Sequence, residues 1–270
     1  MNLIALDLDG TTLNSLSELT PKVIKAIQAA DQWSDTRIVF CSGRPLSGVA
    51  PFAQRCGLSC DRYHILSNGA IIQSLSGDKL FEAALSAADY GTIKTYCDAE
   101  GLVPLAVAED GVYTSAQLIN PSGMNFCVLT NNDLIVRPVE DWPADLRLYK
   151  FLICEAAAVI KAKKASIIKQ FEHDFACTQG YVDFLELSKK NTSKGSALSK
   201  LANYYNIASD NVYVVGDNEN DQSAFQRFPH SIAMGNAVES LKELAYSVCP
   251  SNDEDGVAEA LEQIRLMIEN

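Results

Sequence analysis

The chain has 270 residues, of which 47% are hydrophobic and 21% are charged, and this balance excludes a disordered or fibrous protein. Its length is sufficient for one domain that carries an inserted second domain. The formal net charge of −12 disfavours nucleic acids and anionic membrane surfaces as partners, because both carry the same sign of charge.

The cysteine content and the start of the sequence indicate a compartment. Eight cysteines are scattered along the chain without a Cys-x-x-Cys pair, as is typical of buried thiols in a reducing environment. The apolar run before Asp7 is too short and too uncharged for a signal peptide. We therefore expect a cytoplasmic protein, either a monomer or a homodimer.

The first third of the sequence alternates strands with helices. Residues 3–8 are apolar apart from Asp7 and are followed by Asp9-Gly10, which predicts a buried strand that runs into a loop. Thr20 and Pro21 then predict the cap and first turn of a helix. A second strand over 37–41, a Ser42-Gly43-Arg44-Pro45 turn and a helix to Gly57 repeat the pattern. This alternation predicts a parallel α/β sheet, whose ligands bind outside the carboxyl ends of its strands.

A third strand over 64–66 is predicted to end at Ser67-Asn68-Gly69, so a third polar cluster falls at a strand end. From about residue 81 the rhythm changes. A helix over 87–100, a hairpin of strands 103–108 and 112–114 around Asp110-Gly111, and a strand over 146–154 are predicted. A helix over 156–173 and short strands near 176 and 184 complete an α+β module.

The first rhythm returns at Ser193 with a helix to about Tyr205, a strand over 212–215 and an acidic loop over 216–221. The outer thirds therefore form one discontinuous core domain, residues 1–80 and 185–270. The predicted inserted domain spans residues 81–184.

Asp7 and Asp9 are two residues apart at a strand end, which places their side chains on the same side if the strand continues that far. Taken alone, such a pair more often forms a turn or caps a helix. Two carboxylates that approach at a strand mouth repel each other, and a hard cation such as Mg²⁺ relieves the repulsion.

Asp217 and Asp221 follow the strand over 212–215 and provide further carboxylates at the same edge if this strand neighbours the first. Asp217 alone is also suited to cap a helix that begins near Glu219. Only the metal interpretation accounts for all four acids, and we expect a metal site of Asp7, Asp9, Asp217 and Asp221.

A phosphate dianion needs cations and N–H groups before it can approach these acids. Lys194 lies at the start of a helix, where the helix dipole disfavours a cation, so another interaction is expected to hold it there. Ser42 and the Gly43 amide precede a helix and offer a hydroxyl, N–H groups and a positive dipole end. The alternatives are a solvated lysine and a plain helix cap.

Other side chains leave two interpretations open. Arg44 is suited equally to a phosphate contact and to the protein surface, and Asn68 and Asn220 to substrate or to loop backbone. The three histidines are far apart in sequence and share no motif, so catalysis by histidine is not expected.

Five motifs fall in order at the predicted strand ends: Asp7-Leu8-Asp9-Gly10-Thr11-Thr12-Leu13, Ser42-Gly43-Arg44-Pro45, Ser67-Asn68-Gly69-Ala70, Lys194-Gly195 and Gly216-Asp217-Asn218-Glu219-Asn220-Asp221. Together they resemble the haloacid dehalogenase superfamily, and the Cof-type sugar phosphatases with a type IIB cap fit best. This resemblance covers the whole chain. It implies a Rossmann-like, doubly wound parallel sheet with the insert as an α+β cap.

The resemblance also implies roles. Asp7 would be the nucleophile of an Mg²⁺-dependent phosphatase that acts on small phosphorylated metabolites, and Asp9 would be the general acid and base. The metal would bind the Asp7 carboxylate, the Asp9 carbonyl oxygen and Asp217, with Asp221 in support. The side chains and amides expected to hold substrate are those of Ser42, Gly43, Arg44, Lys194 and Asn220.

Two other classes share parts of this pattern. A receiver domain also gathers acids, Mg²⁺ and a lysine, but its acceptor aspartate follows a later strand, and here the later strands end in Ser42 and Asn68. A phosphomutase or phosphotransferase shares the core chemistry and differs in whether a sugar hydroxyl or water accepts the phosphoryl group.

Overall fold

The structure is a computed structural model that describes residues 1–269. The strands, in chain order, are β1 (Asn2–Leu6), β2 (Thr36–Phe40), β3 (Tyr63–Leu66), β4 (Ile71–Ser74), β5 (Lys79–Glu82), β6 (Val103–Ala108), β7 (Val112–Thr114), β8 (Leu134–Val136), β9 (Leu148–Cys154), β10 (Phe175–Tyr181), β11 (Phe184–Lys189), β12 (Val212–Gly216), β13 (His230–Ala233) and β14 (Ser247–Val248). The helices are α1 (Pro21–Ala30), α2 (Leu46–Arg55), α3 (Ala87–Glu100), α4 (Pro121–Thr130), α5 (Ala157–Phe171), α6 (Lys194–Tyr204), α7 (Gln222–Phe225), α8 (Glu239–Lys242) and α9 (Gly256–Glu269).

The chain divides into two compact units. The first combines Met1–Phe81 with Ser193–Asn270, and the second is Glu82–Thr192. The second unit extends past the expected residue 184, because β11 pairs with β9 and continues the sheet of that unit.

The first unit is built on a five-stranded sheet in the order β14-β13-β12-β1-β2. Every pairing in this sheet is parallel, as the alternation of strands and helices predicts. β1 lies at its centre between β12 and β2, and it is almost wholly buried because its residues are apolar. The fold class is therefore α/β with a parallel sheet as its core.

The predicted third strand differs from expectation. β3 pairs antiparallel with β4 in a separate three-stranded sheet, and a single parallel bridge between Cys41 and Ile65 connects it to the end of β2. Its polar turn still lies beside the loop that follows β2, because Ser42 N–H donates to the Ile65 carbonyl oxygen at 2.9 Å.

The second unit contains a six-stranded sheet in the order β10-β11-β9-β6-β7-β8, antiparallel except between β7 and β8. This unit has two hydrophobic cores. The larger includes Tyr90 of α3 and Phe171 of α5, and the smaller contains Phe126 of α4. The expected hairpin between β6 and β7 is present.

Among residues 1–269, no helix combines the length and the apolar character that a membrane span requires.

Candidate active site

Two neighbouring strands bring the acidic motifs together. β1 and β12 pair in parallel with Leu6 opposite Val215, and the Asp7 N–H donates to the Val215 carbonyl oxygen at 3.0 Å. Asp7 and Asp217 therefore leave the sheet from adjacent strands at the same edge.

Three of the predicted acids form a buried cluster. Asp7, Asp217 and Asp221 each offer a carboxylate oxygen, and these oxygens lie within 4.8 Å of one another. In the described part of the chain, residues 1–269, no other group of three or more His, Cys, Asp or Glu side chains is close enough together to hold a metal ion. The Asp9 side chain lies outside it, so any part that Asp9 plays in metal binding falls to its backbone.

Lys194 is not a solvated lysine. Its side chain is 0% exposed, and its Nζ lies 2.8 Å from Asp7 Oδ1 and 2.7 Å from Asp221 Oδ1. The helix α6 starts at this residue because Ser193 caps it, accepting from the Ser196 N–H at 3.1 Å, and Ser196 Oγ accepts from the Ser193 N–H in return. The two carboxylates supply the interaction that the helix dipole does not.

The acidic loop is held by its own backbone. Asp221 Oδ2 accepts hydrogen bonds from the Asp217 N–H at 3.0 Å and the Asn218 N–H at 3.2 Å. A Cβ atom on Gly216 would lie 2.5 Å from Asp221 Cγ, so only glycine allows this approach. Asn218, rather than Asp217, caps the short helical turn that follows.

The loop after β1 also holds the Asp217 side chain in place. Thr11 Oγ1 donates to Asp217 Oδ1 at 2.7 Å, and Thr12 Oγ1 donates to the Asp7 carbonyl oxygen. Gly10 has a φ of +75°, and a Cβ atom there would lie 2.3 Å from Asp217 Oδ2. The sequence analysis includes the two threonines in the first motif but assigns them no role, although only Gly10 separates them from the paired aspartates.

Burial and mutual repulsion dominate the electrostatics of the cluster. Burial raises the pKa of Asp7 well above its ordinary value; Lys194 opposes this, and Asp221 and Asp217 add to it. Burial, followed by the charge of Asp221, raises the pKa of Asp217 to about 7. Burial opposes the charge of Lys194, but Asp221 and Asp7 more than offset it and raise its pKa.

The cluster fits a divalent cation. When all are ionised, three carboxylates and one ammonium group leave a formal charge of −2 in a buried site. Burial, and after it the repulsion between these carboxylates, raises the pKa values of Asp7 and Asp217, so the ionised cluster needs a compensating cation. Hard oxygen donors with excess negative charge match the preference of Mg²⁺.

Asp9 and Arg44 form a bidentate ion pair. Arg44 Nε and Nη2 donate to Asp9 Oδ2 and Oδ1 at 2.8 and 2.6 Å. Arg44 is 7% exposed, which excludes the interpretation as a surface arginine. This side chain links the loop after β2 to the loop after β1.

Ser42 and Gly43 lie at the end of β2, as predicted. Ser42 is fully buried, and its Oγ accepts from the Arg44 N–H at 3.1 Å. The helix α2 begins at Leu46 with Pro45 as its N-cap, so Ser42 is not the cap of that helix.

The two asparagines contact each other. Asn220 Nδ2 donates to Asn68 Oδ1 at 3.1 Å, which joins the acidic loop to the turn after β3. His64 is buried in the sheet with Nδ1 accepting from the Phe40 N–H at 3.0 Å, and burial lowers its pKa to about 3. It does not belong to the acidic cluster.

Comparisons with known proteins agree with this arrangement. A family model described as haloacid dehalogenase-like hydrolase matches residues 4–261. The 5-amino-6-(5-phospho-D-ribitylamino)uracil phosphatase YwtE of Bacillus subtilis is 28% identical over 98% of both chains. The phosphatase YwpJ of the same organism is 26% identical over 98% of this chain and 100% of its own.

A solved structure of a haloacid dehalogenase-like hydrolase from Bacteroides thetaiotaomicron is similar at 26% identity and a TM-score of 0.85. It covers 97% of this chain and 99% of that chain. The chain belongs to the haloacid dehalogenase-like hydrolase family. Within that family it is an enzyme, a phosphatase.

Proposed function

We propose that this chain is an Mg²⁺-dependent phosphatase that hydrolyses phosphomonoesters of small metabolites through an aspartyl-phosphate on Asp7. The observation that carries the proposal is the buried cluster of Asp7, Asp217 and Asp221 around Lys194. A buried site of this charge needs a cation before an anionic substrate can approach it.

The metal would be held by the carboxylates of Asp7 and Asp217 and the carbonyl oxygen of Asp9. Asp221 already accepts bonds from Lys194 and from two backbone N–H groups, so we expect it to support the site without binding the ion directly. Bound there, Mg²⁺ would supply positive charge that stabilises the phosphoryl group during transfer.

The chain's own residues would carry the reaction. A carboxylate oxygen of Asp7 attacks phosphorus, the bond to the leaving oxygen breaks, and Asp9 gives that oxygen a proton. Asp9 then takes a proton from water, which attacks the phosphorus of the aspartyl-phosphate and releases inorganic phosphate. The ammonium group of Lys194, the hydroxyl of Ser42 and the N–H of Gly43 would hold the phosphoryl oxygens.

Arg44 would orient Asp9 through its two parallel hydrogen bonds. A contact between this guanidinium and the substrate remains a prediction. Sugar phosphates are the substrate class that we favour. The relative YwtE supports this choice, because the substrate in its name carries a phosphoribityl group.

Hydrolysis of p-nitrophenyl phosphate and of a panel of sugar phosphates, flavin mononucleotide, pyridoxal phosphate and nucleotides tests the proposal. We expect hydrolysis that requires Mg²⁺, stops with EDTA and falls by about a thousandfold or more in Asp7→Asn. Asp210→Asn, an exposed aspartate, is the matched control and should retain full activity. Full activity of Asp7→Asn would exclude Asp7 as the nucleophile.

A further inference from the structure

The turn after β3 holds three consecutive residues in the left-handed region. Ser67, Asn68 and Gly69 have φ values of 49°, 56° and 92°. This conformation is unfavourable for serine and only tolerated by asparagine, so its surroundings must hold it in place. The contacts of the turn identify those surroundings.

The first contact is with the loop that follows β2. The Ser67 N–H donates to the Arg44 carbonyl oxygen and the Asn68 N–H to the Ser42 carbonyl oxygen, both at 3.0 Å. A Cβ atom on Gly43 would lie 3.1 Å from Asn68 Oδ1, so the Asn68 amide packs directly against this loop.

The second and third contacts reach the acidic loop and the start of α6. Asn68 Oδ1 accepts from Asn220 Nδ2 at 3.1 Å. A Cβ atom on Gly69 would lie 2.3 Å from the carbonyl oxygen of Ser193, the residue that caps the helix of Lys194. One turn therefore touches the three segments that we propose to surround the phosphoryl group.

The Asn220 amide is held by this contact but is not fully bonded. Among the described residues, Asn220 Oδ1 belongs to the buried side-chain atoms without a hydrogen-bond partner. This oxygen only accepts hydrogen bonds, so it cannot bind an anion, and the group of Asn220 that can do so is its nitrogen. An amide nitrogen carries two N–H groups, so Asn220 can bind Asn68 with one and offer the other to an anion.

We infer that Asn68 is a positioning residue that orients the Asn220 amide and the Gly43 backbone toward a bound phosphate group. The inference rests on the proposed function for the identity of that anion. The two carboxylates proposed to bind the metal are fixed by other contacts, Asp217 by Thr11 and Asp7 by Lys194, so Asn68 acts on the phosphate rather than on the metal.

Asn68→Gly separates the amide from the backbone, because glycine adopts the left-handed conformation without cost. Asn206→Gly is the matched control, since Asn206 has the same φ of 56° and is exposed in the turn after α6. Binding of Mg²⁺ alone, and of inorganic phosphate with Mg²⁺ present, is measured by calorimetry. For Asn68→Gly we expect phosphate affinity about tenfold weaker and Mg²⁺ affinity within about twofold of the wild type. Asn206→Gly should change neither.

A double-mutant cycle with Asn220→Ala shows whether the two amides act together. The double variant should bind phosphate about as weakly as the weaker single variant, because the hydrogen bond is already lost. Asn220→Ala breaks the same bond without altering the left-handed turn, so it serves if Asn68→Gly does not fold.

Wild-type phosphate affinity in Asn68→Gly or in Asn220→Ala, or strictly additive effects, would overturn the inference. Equal losses of Mg²⁺ and phosphate affinity would also overturn it, because they would show general damage. If the wild type binds phosphate but hydrolyses no phosphomonoester, the proposed function fails while the affinities still decide the role of Asn68. If the wild type binds no phosphate at all, both are wrong.

Discussion

At the scale of single residues, burial decides how the acidic cluster behaves. Burial and repulsion from Asp221 disfavour the ionised form of Asp217, so its pKa rises to about 7. A proton and a divalent cation are therefore alternative ways to neutralise the same carboxylate.

This competition predicts a pH dependence of stability. In the metal-free protein, folded Asp217 holds a proton between about pH 4 and pH 7, whereas in the unfolded chain its pKa is near the ordinary 3.8. Since the folded state binds more protons there, the free energy of unfolding falls as pH rises through this window. The stabilisation by Mg²⁺ should accordingly increase from about pH 5 to about pH 8.

Thermal unfolding with EDTA or with Mg²⁺ at several pH values checks this prediction. Asp217→Asn should reduce the pH dependence of the metal-free protein, because the amide does not titrate, and should leave the part that the raised pKa of Asp7 contributes. An Mg²⁺-induced shift in Tm that is equal at about pH 5 and about pH 8 would contradict the assignment of Asp217 to the metal.

At the scale of elements, the N-cap of α6 places Lys194. Ser193 and Ser196 form a capping box at this end, and Ser86 and Asp89 form the same motif at the start of α3. The two caps thus allow a comparison of the same substitution inside and outside the site.

Ser193→Ala and Ser86→Ala should each destabilise the protein by about 1 kcal/mol. Only Ser193→Ala should also reduce kcat/KM for p-nitrophenyl phosphate, because the first turn of α6 carries the Lys194 ammonium between Asp7 and Asp221. Denaturant unfolding and steady-state kinetics of both variants measure the two effects. Equal activity in the two variants would show that the cap does not position Lys194.

Elements with a strong local pattern were predictable from sequence. The predicted helix 87–100 and strands 103–108 and 112–114 coincide with α3, β6 and β7, because Gly101 and the Asp110-Gly111 turn mark their ends. The helix α4 was missed, because its buried positions include Ser122, Gly123 and Thr130 and its apolar residues do not form one face. Its Asn120 cap followed by Pro121 was the available signal.

Of the candidate site, only the residues that lie at strand ends could be predicted from the sequence. The sequence indicates that Asp7, Asp217 and Asp221 meet, because parallel strands present their carboxyl ends at one edge. It does not indicate that Arg44 pairs with Asp9, or that Thr11 binds Asp217, because side-chain partners depend on loop conformations. The turn at Asn68 is a further case, since three left-handed residues in succession have no sequence rule.

At the scale of the whole molecule, net charge opposes the substrate. The chain has a formal charge of −12, so it repels a phosphate dianion that is still too distant to interact with the cations of the site. The Debye length shortens from about 30 Å at 0.01 M ionic strength to about 8 Å at 0.15 M, so salt screens this repulsion.

We therefore expect kcat/KM for dianionic substrates to rise with ionic strength over this range, at constant free Mg²⁺. A smaller rise is expected for a monoanionic phosphodiester, if it is hydrolysed at all, because its charge is lower. A steady fall with salt would show that the positive charge at the site outweighs the charge of the molecule.

The central claim is that Asp7 accepts the phosphoryl group. Rapid acid quenching during turnover, followed by peptide mass spectrometry, tests it directly. With p-nitrophenyl phosphate as substrate, we predict one added phosphoryl group on the peptide that contains Asp7. Its occupancy should be higher in Asp9→Asn, because this leaving group departs without a proton from Asp9 whereas water activation is impaired. A phosphoryl group on any other residue, or turnover of the wild type with no modified peptide in either protein, would contradict the account.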